Sequence, residues 1–187
     1  MEAGSDAHVL ALQQGTCLLY ELFAASPGNG GWTAASGARW DLRSNALRPE
    51  GWTSADAAGL PILPGLLRYD EVASGQVTHA IRMTFSNTYA GHIHPATHDA
   101  SSITDPTYPP MGLRLRLKAD FDLSPYTGAA RVILVAMQRY GTIVADNGSD
   151  WYFGGATDAR WNDEDLDQLK RVPGSAFEAV ETGPVIT

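Results

Sequence analysis

Leu113-Arg114-Leu115-Arg116-Leu117-Lys118 is the stretch that decides the fold. Strict alternation sets pure Leu on one side and pure cation on the other. A period of two is the mark of a strand with one face on the core. The other face looks to water or to an anionic groove. Ser124-Pro125 then predicts a helix start. Ser suits the N-cap, and Pro suits the first helical position, where its missing N–H leaves nothing unpaired. Ala129, Val132, Ile133, Ala136, Met137 and Tyr140 recur at helical spacing, with Leu134 and Val135 widening the apolar stripe. Gly141 can end the helix in a left-handed conformation. Thr142-Ile143-Val144-Ala145 reads as a returning strand that ends in the turn Asp146-Asn147-Gly148-Ser149.

Similar patterns lie on both sides of this unit. Val77, His79, Ile81, Met83 and Phe85 share one face of an alternating run. The runs from His8 to Leu12 and from Cys17 to Phe23, with Gln13-Gln14-Gly15 between them, predict a hairpin. Pro27-Gly28-Asn29-Gly30-Gly31 is a turn, because Gly and Asn tolerate positive φ. Gly37 to Leu42 and Trp151-Tyr152-Phe153 are short strands, and Ala176 to Val180 closes a sheet. Asn162 caps a second helix. Asp163, Glu164 and Asp165 fall in its first turn and Lys170 and Arg171 in its last, matching the helix dipole. The tail Thr182 to Thr187 has no periodicity and is expected to fray. Strands outnumber helices in a mixed order, which argues against a doubly wound parallel sheet. The expected fold is mainly β, of the α+β type. It is an antiparallel β-sandwich or barrel-like sheet with two helices near the C-terminal third, in a single domain over 1–187.

Composition narrows the function. The chain has 187 residues, 44% apolar and 18% charged, enough to build a core. Its 13 Lys and Arg against 21 Asp and Glu leave a net charge of -8, which speaks against a nucleic-acid backbone as partner. No apolar run reaches the length of a bilayer span. Cys17 is the single cysteine, so an internal disulfide and a CxxC zinc site are excluded; within an apolar strand it is expected to be inert packing. There is no G-x-S-x-G, and Gly28, Gly30 and Gly31 precede no helix or Lys that would cradle a phosphate.

The stretch Arg43 to Leu67 holds Pro49, Gly51, Gly59, Pro61, Pro64 and Gly65 and shows no period. Irregular stretches this long are either functional or crossovers that cover an open sheet edge. At its end, Arg68-Tyr69-Asp70-Glu71 places two acids beside a guanidinium and a phenol. Asp146 closes a buried strand, where a side chain is held rigidly at a sheet rim. A glycoside hydrolase needs one carboxyl group with a raised pKa to protonate the leaving oxygen, and a second, ionised one as base or nucleophile. Asp146 with Asp70 or Glu71 is the candidate pair, with His98 and Arg68 tuning them. Glu21 is a third acid, but its place between apolar neighbours is equally met by a residue facing water.

His92-Ile93-His94 sets two imidazoles on one face of a strand, with His98 shortly after. Imidazole suits a divalent transition metal, and His92, His94 and His98 are the candidate ligands. The spacing resembles the first motif of cupins. However, His98 stands where that motif has Glu, and no second-motif His follows Pro110-Met111-Gly112. With the carboxylate pair no cofactor is needed; the metal is the alternative.

Trp32, Trp40, Trp52, Trp151 and Trp161 lie near predicted turns or strand ends, with Tyr69, Tyr89, Tyr108 and Tyr152 as companions. Two or three of the five indoles are expected in the core. Trp52 and Trp151 are the expected exposed platforms, since flat rings pack on the C–H faces of sugars. Arg68, Tyr69 and Asn147 complete the candidate substrate-binding set.

Several phrases are similar to those of a group of secreted bacterial proteins with no assigned reaction. They are Asn45 to Pro49, Gly51 to Pro61, Arg68 to Val72, and Tyr140 to Asp150, within a likeness running from His8 to Glu181. The resemblance implies an extracellular protein lacking its natural N-terminal segment; Met1 to Asp6 by itself, with neither a basic start nor an apolar segment, leaves a cytosolic chain open as well. The resemblance brings no reaction with it. The leading expectation is therefore a secreted carbohydrate-active enzyme, a glycoside hydrolase acting on a polysaccharide or oligosaccharide. The alternatives are a non-catalytic glycan-binding module, a His-ligated metalloenzyme, and a structural surface protein.

Overall fold

Thr142, Ile143, Val144 and Ala145 are all buried, as a strand covered on both faces must be. They belong to β8 in the strand series β1 (Val9–Gln13), β2 (Leu18–Phe23), β3 (Ser26–Gly28), β4 (Gly31–Thr33), β5 (Ser36–Asp41), β6 (Ile81–Phe85), β7 (Arg114–Leu117), β8 (Thr142–Asn147) and β9 (Phe177–Val180). The computed structural model describes residues 6–187. The main sheet has the order β6-β8-β7-β9. The β6–β8 pair is parallel, and β7 is antiparallel to both β8 and β9. A second, antiparallel sheet has the order β1-β2-β5, and β3 with β4 forms a small hairpin. Three short helices complete the set: α1 (Tyr69–Ala73), α2 (Gly128–Arg139) and α3 (Asp163–Leu166). The chain is thus mainly β with a minority of helix. Its principal sheet is mixed rather than wholly antiparallel, and no closed barrel forms among the described residues.

The Leu–cation alternation behaves as its period demands. Leu115 and Leu117 are buried, and Arg116 is exposed. Arg116 faces no groove, however. It lies opposite Glu178 on β9, and its Nε donates to the Glu178 carboxylate at 3.0 Å. On the apolar side, Leu117 and Ile81 pack with Ile133, Leu134 and Met137 of α2, joined by Leu67, Val72 and Val77. A separate cluster unites Ile143, Val144 and Ala145 with Ala58, Leu60, Ala96 and Met111.

Helix α2 begins three residues later than its local signal predicts. Ser124 turns back on Asp122, whose carboxylate accepts from the Ser124 N–H at 2.8 Å. The helix starts after Thr127, which makes no side-chain cap. Its free N–H groups are met from a distance: Asp165 accepts from the backbone of Ala129 at 2.7 Å, and Gln168 accepts from Thr127 at 3.1 Å. Gly128 has φ +54, and a Cβ there would lie 2.3 Å from the Asp165 carboxylate, so only glycine admits this partner. Asn162 does cap α3, accepting from the Asp165 N–H at 3.2 Å.

Other departures have similar causes. Cys17 is exposed in the β1–β2 turn at φ 57, outside either strand. Residues 69–73 form α1, where the sequence shows only the end of a loop. His92 to His94 is not a strand; His92 makes isolated bridges to Met111 and Ile186. The second bridge pins the tail expected to fray: His92 and Ile186 exchange both backbone hydrogen bonds, at 2.9 and 2.8 Å. The stretch 43–67 is largely exposed over its first ten residues and runs through the interior from Ser54 to Ile62. Ser54, Ala55, Asp56, Ala58, Leu60 and Ile62 are all in the interior. The Ala58 N–H donates to the Ala145 carbonyl at 2.9 Å, and those of Ile62 and Leu63 donate to Glu21 at 3.0 and 2.9 Å.

Candidate functional site

The turn after β8 carries Trp151, Tyr152 and Phe153 out along one side of the molecule. Trp151 has φ 54 and packs edge-on against Phe85 and tilted on Phe177, with ring centroids 5.1 and 5.0 Å away. It remains 39% exposed, and Tyr152 beside it is 60% exposed. Across from them, the loop 154–161 and α3 form the other wall. Trp161 is fixed there by donating its Nε1–H to the Ala156 carbonyl at 2.9 Å and by an edge contact with Tyr69 at 5.2 Å. Between the walls lies an open groove of about 960 Å³, reached by Trp151, Tyr152, Phe153, Trp161, Asp158 and Lys170. A smaller cavity of about 360 Å³ continues it past Trp151 and Tyr152 toward Asp150 and Phe177. Rings, acids, Thr157 and Lys170 line the groove together.

Two acids, Asp158 of the groove and Asp150 of the smaller cavity, are held ionised. Hydrogen bonds from Arg160 bring the Asp158 carboxyl down to about 2. The backbone and hydroxyl of Ser86 lower Asp150. A general acid needs the opposite shift.

That opposite shift occurs elsewhere, around Arg82 on β6. Asp56, wholly buried, accepts from Arg82 Nε at 3.1 Å and from its terminal nitrogen at 2.9 Å. Asp146 approaches the same guanidinium at 3.7 Å. Burial pushes Asp56 up to about 6, against the pull of Arg82. Burial also raises Asp146. Glu21, expected to face water, is fully buried. Burial raises its carboxyl against the hydrogen bonds from Ile62, Leu63 and Trp40. Burial works against the charge of Arg82 as well, yet the combined attraction of Asp56, Asp146 and Glu21 outweighs it and raises its pKa. Three acids around one buried cation exceed charge balance, and burial raises all three carboxyls.

The other residues nominated from sequence are dispersed. Asp70, 83% exposed at its side chain, pairs with Arg160 at 2.9 Å. Glu71 pairs with Arg68 and with His79 Nε2, the latter at 3.3 Å. Asp146 therefore shares its cation with Asp56, while Asp70 and Glu71 each answer to different partners. Tyr69 carries the Arg160 guanidinium over its ring at 4.2 Å. Asn147 donates to the Ala100 carbonyl and accepts from Thr88. His98 turns its Nδ1 to the Ala57 carbonyl at 2.9 Å. Trp52 is 58% exposed but stands outside the groove, under the guanidinium of Arg48, which also lies over Trp40.

The imidazoles of His92 and His94 do converge, on an acid the sequence did not nominate. Each presents Nε2 to Glu50: His92 to one carboxylate oxygen, and His94 to the other at 2.9 Å. The ligand atoms of the three residues lie within 4.8 Å of one another. Glu50 stands where the sequence suggested His98. No local pattern reveals Glu50, Asp56 or Arg82, because their partners are 26 to 44 residues away. Trp161 and Tyr152 were visible as aromatics near turns, but nothing in the chain order shows that they face one groove.

Fold and groove together define a β-rich α+β protein with a surface cleft lined by aromatic rings and acids. No family model matches the chain, and neither a curated protein nor a solved structure does.

Proposed function

We propose that this protein binds a polysaccharide or oligosaccharide in the groove between Trp151, Tyr152 and Trp161, as an extracellular glycan-binding protein. The observation that carries the reading is the composition of the groove: the exposed rings of Trp151 and Tyr152 beside polar and charged side chains. A sugar offers apolar C–H faces and a girdle of hydroxyls, so it needs both kinds of surface at once. Ionised Asp158 and the Thr157 hydroxyl suit hydroxyl recognition. The groove volume, about 960 Å³, falls at the large end of ordinary ligand clefts and accommodates more than one sugar ring. Binding is favoured over hydrolysis because the two acids whose protonation the surroundings perturb here, Asp158 and Asp150, are both held ionised and neither can donate a proton.

Affinity electrophoresis through gels carrying a panel of polysaccharides tests this. Wild type is retarded by at least one polymer, and Tyr152→Ala abolishes the retardation. Tyr152 is the clean position, because Trp151 also packs on Phe85 and Phe177. Trp52→Ala, outside the groove, keeps it. A wild type that migrates freely in every gel ends the proposal.

One observation favours hydrolysis as a second reading. Asp146 is a strand-end carboxyl that burial holds above its ordinary range, as a general acid requires. Release of reducing sugar by wild type and its loss in Asp146→Asn would support that reading. An inactive wild type would remove it.

A further inference from the structure

We propose that Glu50, His92 and His94 form a site for one divalent transition-metal ion of the zinc type. These three residues do not line the glycan groove. Both imidazoles turn the same nitrogen, Nε2, toward one carboxylate, and the three candidate ligand atoms gather within 4.8 Å. Two nitrogens and one oxygen suit zinc and its neighbours. Calcium and magnesium call for more oxygens than are gathered here.

The surrounding structure holds the donors in place. His92 is 5% exposed, and its backbone is bonded on one side to Ile186. The ring therefore cannot swing out to water. Its Nδ1 is buried and has no hydrogen-bond partner among the described residues. No neighbour fixes the tautomer, so the proton can move to Nδ1 when Nε2 takes a metal. The same feature limits affinity. Outer partners of ligating histidines strengthen metal binding by about 10–100-fold, and His92 lacks one. Binding in the micromolar range is therefore expected, rather than the far tighter binding of a closed structural site. Glu50 and His94 are about half exposed at their side chains, so the remaining coordination positions open to solvent. Two neutral imidazoles and one carboxylate leave a divalent ion with net positive charge, ready for water or an anionic oxygen ligand.

The ion would also tie the stretch 43–67, through Glu50, to the segment that anchors the C-terminal tail, through His92. Metal should then raise the melting temperature as well as bind.

The test is calorimetric titration of tag-free, chelator-treated protein with zinc chloride, with cobalt as a spectroscopic substitute. Wild type is expected to bind one zinc per chain and to develop visible cobalt bands. Glu50→Gln and His94→Ala should each weaken binding at least tenfold, with circular dichroism unchanged. His98→Ala and His79→Ala, at histidines outside the cluster, should bind as wild type does. Absence of stoichiometric zinc binding by wild type overturns the proposal. Binding that persists in Glu50→Gln and His94→Ala, or that disappears in His79→Ala or His98→Ala, overturns it too, because the ion then sits elsewhere.

Discussion

Replacing Asp56 with Asn should flatten the pH dependence of stability with little damage to the fold. Asp56 is buried on a bidentate contact with Arg82, yet burial outweighs that attraction and sets its carboxyl at about 6, against an ordinary value of 3.8. The folded protein therefore holds this proton more tightly than the unfolded chain does. The resulting stabilisation is full below the unfolded value and is lost as pH rises through the folded one. Between pH 5 and pH 7.5 the loss from this one group is about 1.4 kcal/mol, from the ratio of the two protonation equilibria. Asn keeps the shape and cannot ionise. Arg82 retains Asp146 at 3.7 Å, so it is not left alone. At pH 5 the native carboxyl is mostly protonated already, and the variant should be within about 1.5 kcal/mol of wild type, the scale of one altered hydrogen bond. Urea unfolding followed by tryptophan fluorescence at pH 5, 6 and 7.5 measures both quantities. Subtracting one protein from the other isolates Asp56 from the remaining titrating groups. The reasoning fails if the two stability profiles run parallel, or if the variant loses several kcal/mol more at pH 7.5 than at pH 5. Parallel profiles would mean that Asp56 keeps one protonation state across this range, and the second result that its charged form is worth more to the fold than its neutral form.

Three further outcomes follow from the same structure. Arg82→Met should lose about 3–5 kcal/mol at pH 7.5, because it leaves buried acids without their cation. The loss should shrink at pH 5, where Asp56 is neutral, and the same urea series reads it. Asp165→Ala removes the acceptor that meets the first N–H groups of α2 and should lose about 1 kcal/mol, the ordinary scale of a lost helix cap. Arg116→Ala breaks the β7–β9 pair with Glu178, but the arginine and glutamate side chains are 47% and 40% exposed. Its effect in thermal unfolding should not exceed about 1 kcal/mol.

The candidate sites were legible in part. Trp52 and Trp151 are exposed, as their neighbourhood in turns suggested, but only Trp151 reaches the groove. Asp146 was identified as a strand-end acid, and burial does raise it. It shares Arg82 with Asp56, which lies in a stretch with no period to read, whereas Asp70 and Glu71 sit on α1 with cations of their own. His92 and His94 announced themselves by spacing. Their shared partner Glu50 did not, because nothing adjacent to an acid in an irregular loop tells where that loop will lie.

What the chain determines locally is whatever repeats within a few residues. The alternation of Leu115 and Leu117 with Arg114 and Arg116, the Ile133, Leu134, Ala136 and Met137 part of the α2 stripe and the Asn162 cap rest on neighbours within one or two turns and appear in the structure, whereas Val135 and Tyr140, read as part of the same stripe, are exposed. Whatever depends on a distant partner was decided by folding. The parallel β6–β8 pairing requires a crossover whose course no local period encodes. The late start of α2 depends on Asp165, far along the chain. The excess of acids around Arg82 depends on three segments meeting in the interior, where loss of water, and not sequence adjacency, sets the protonation state.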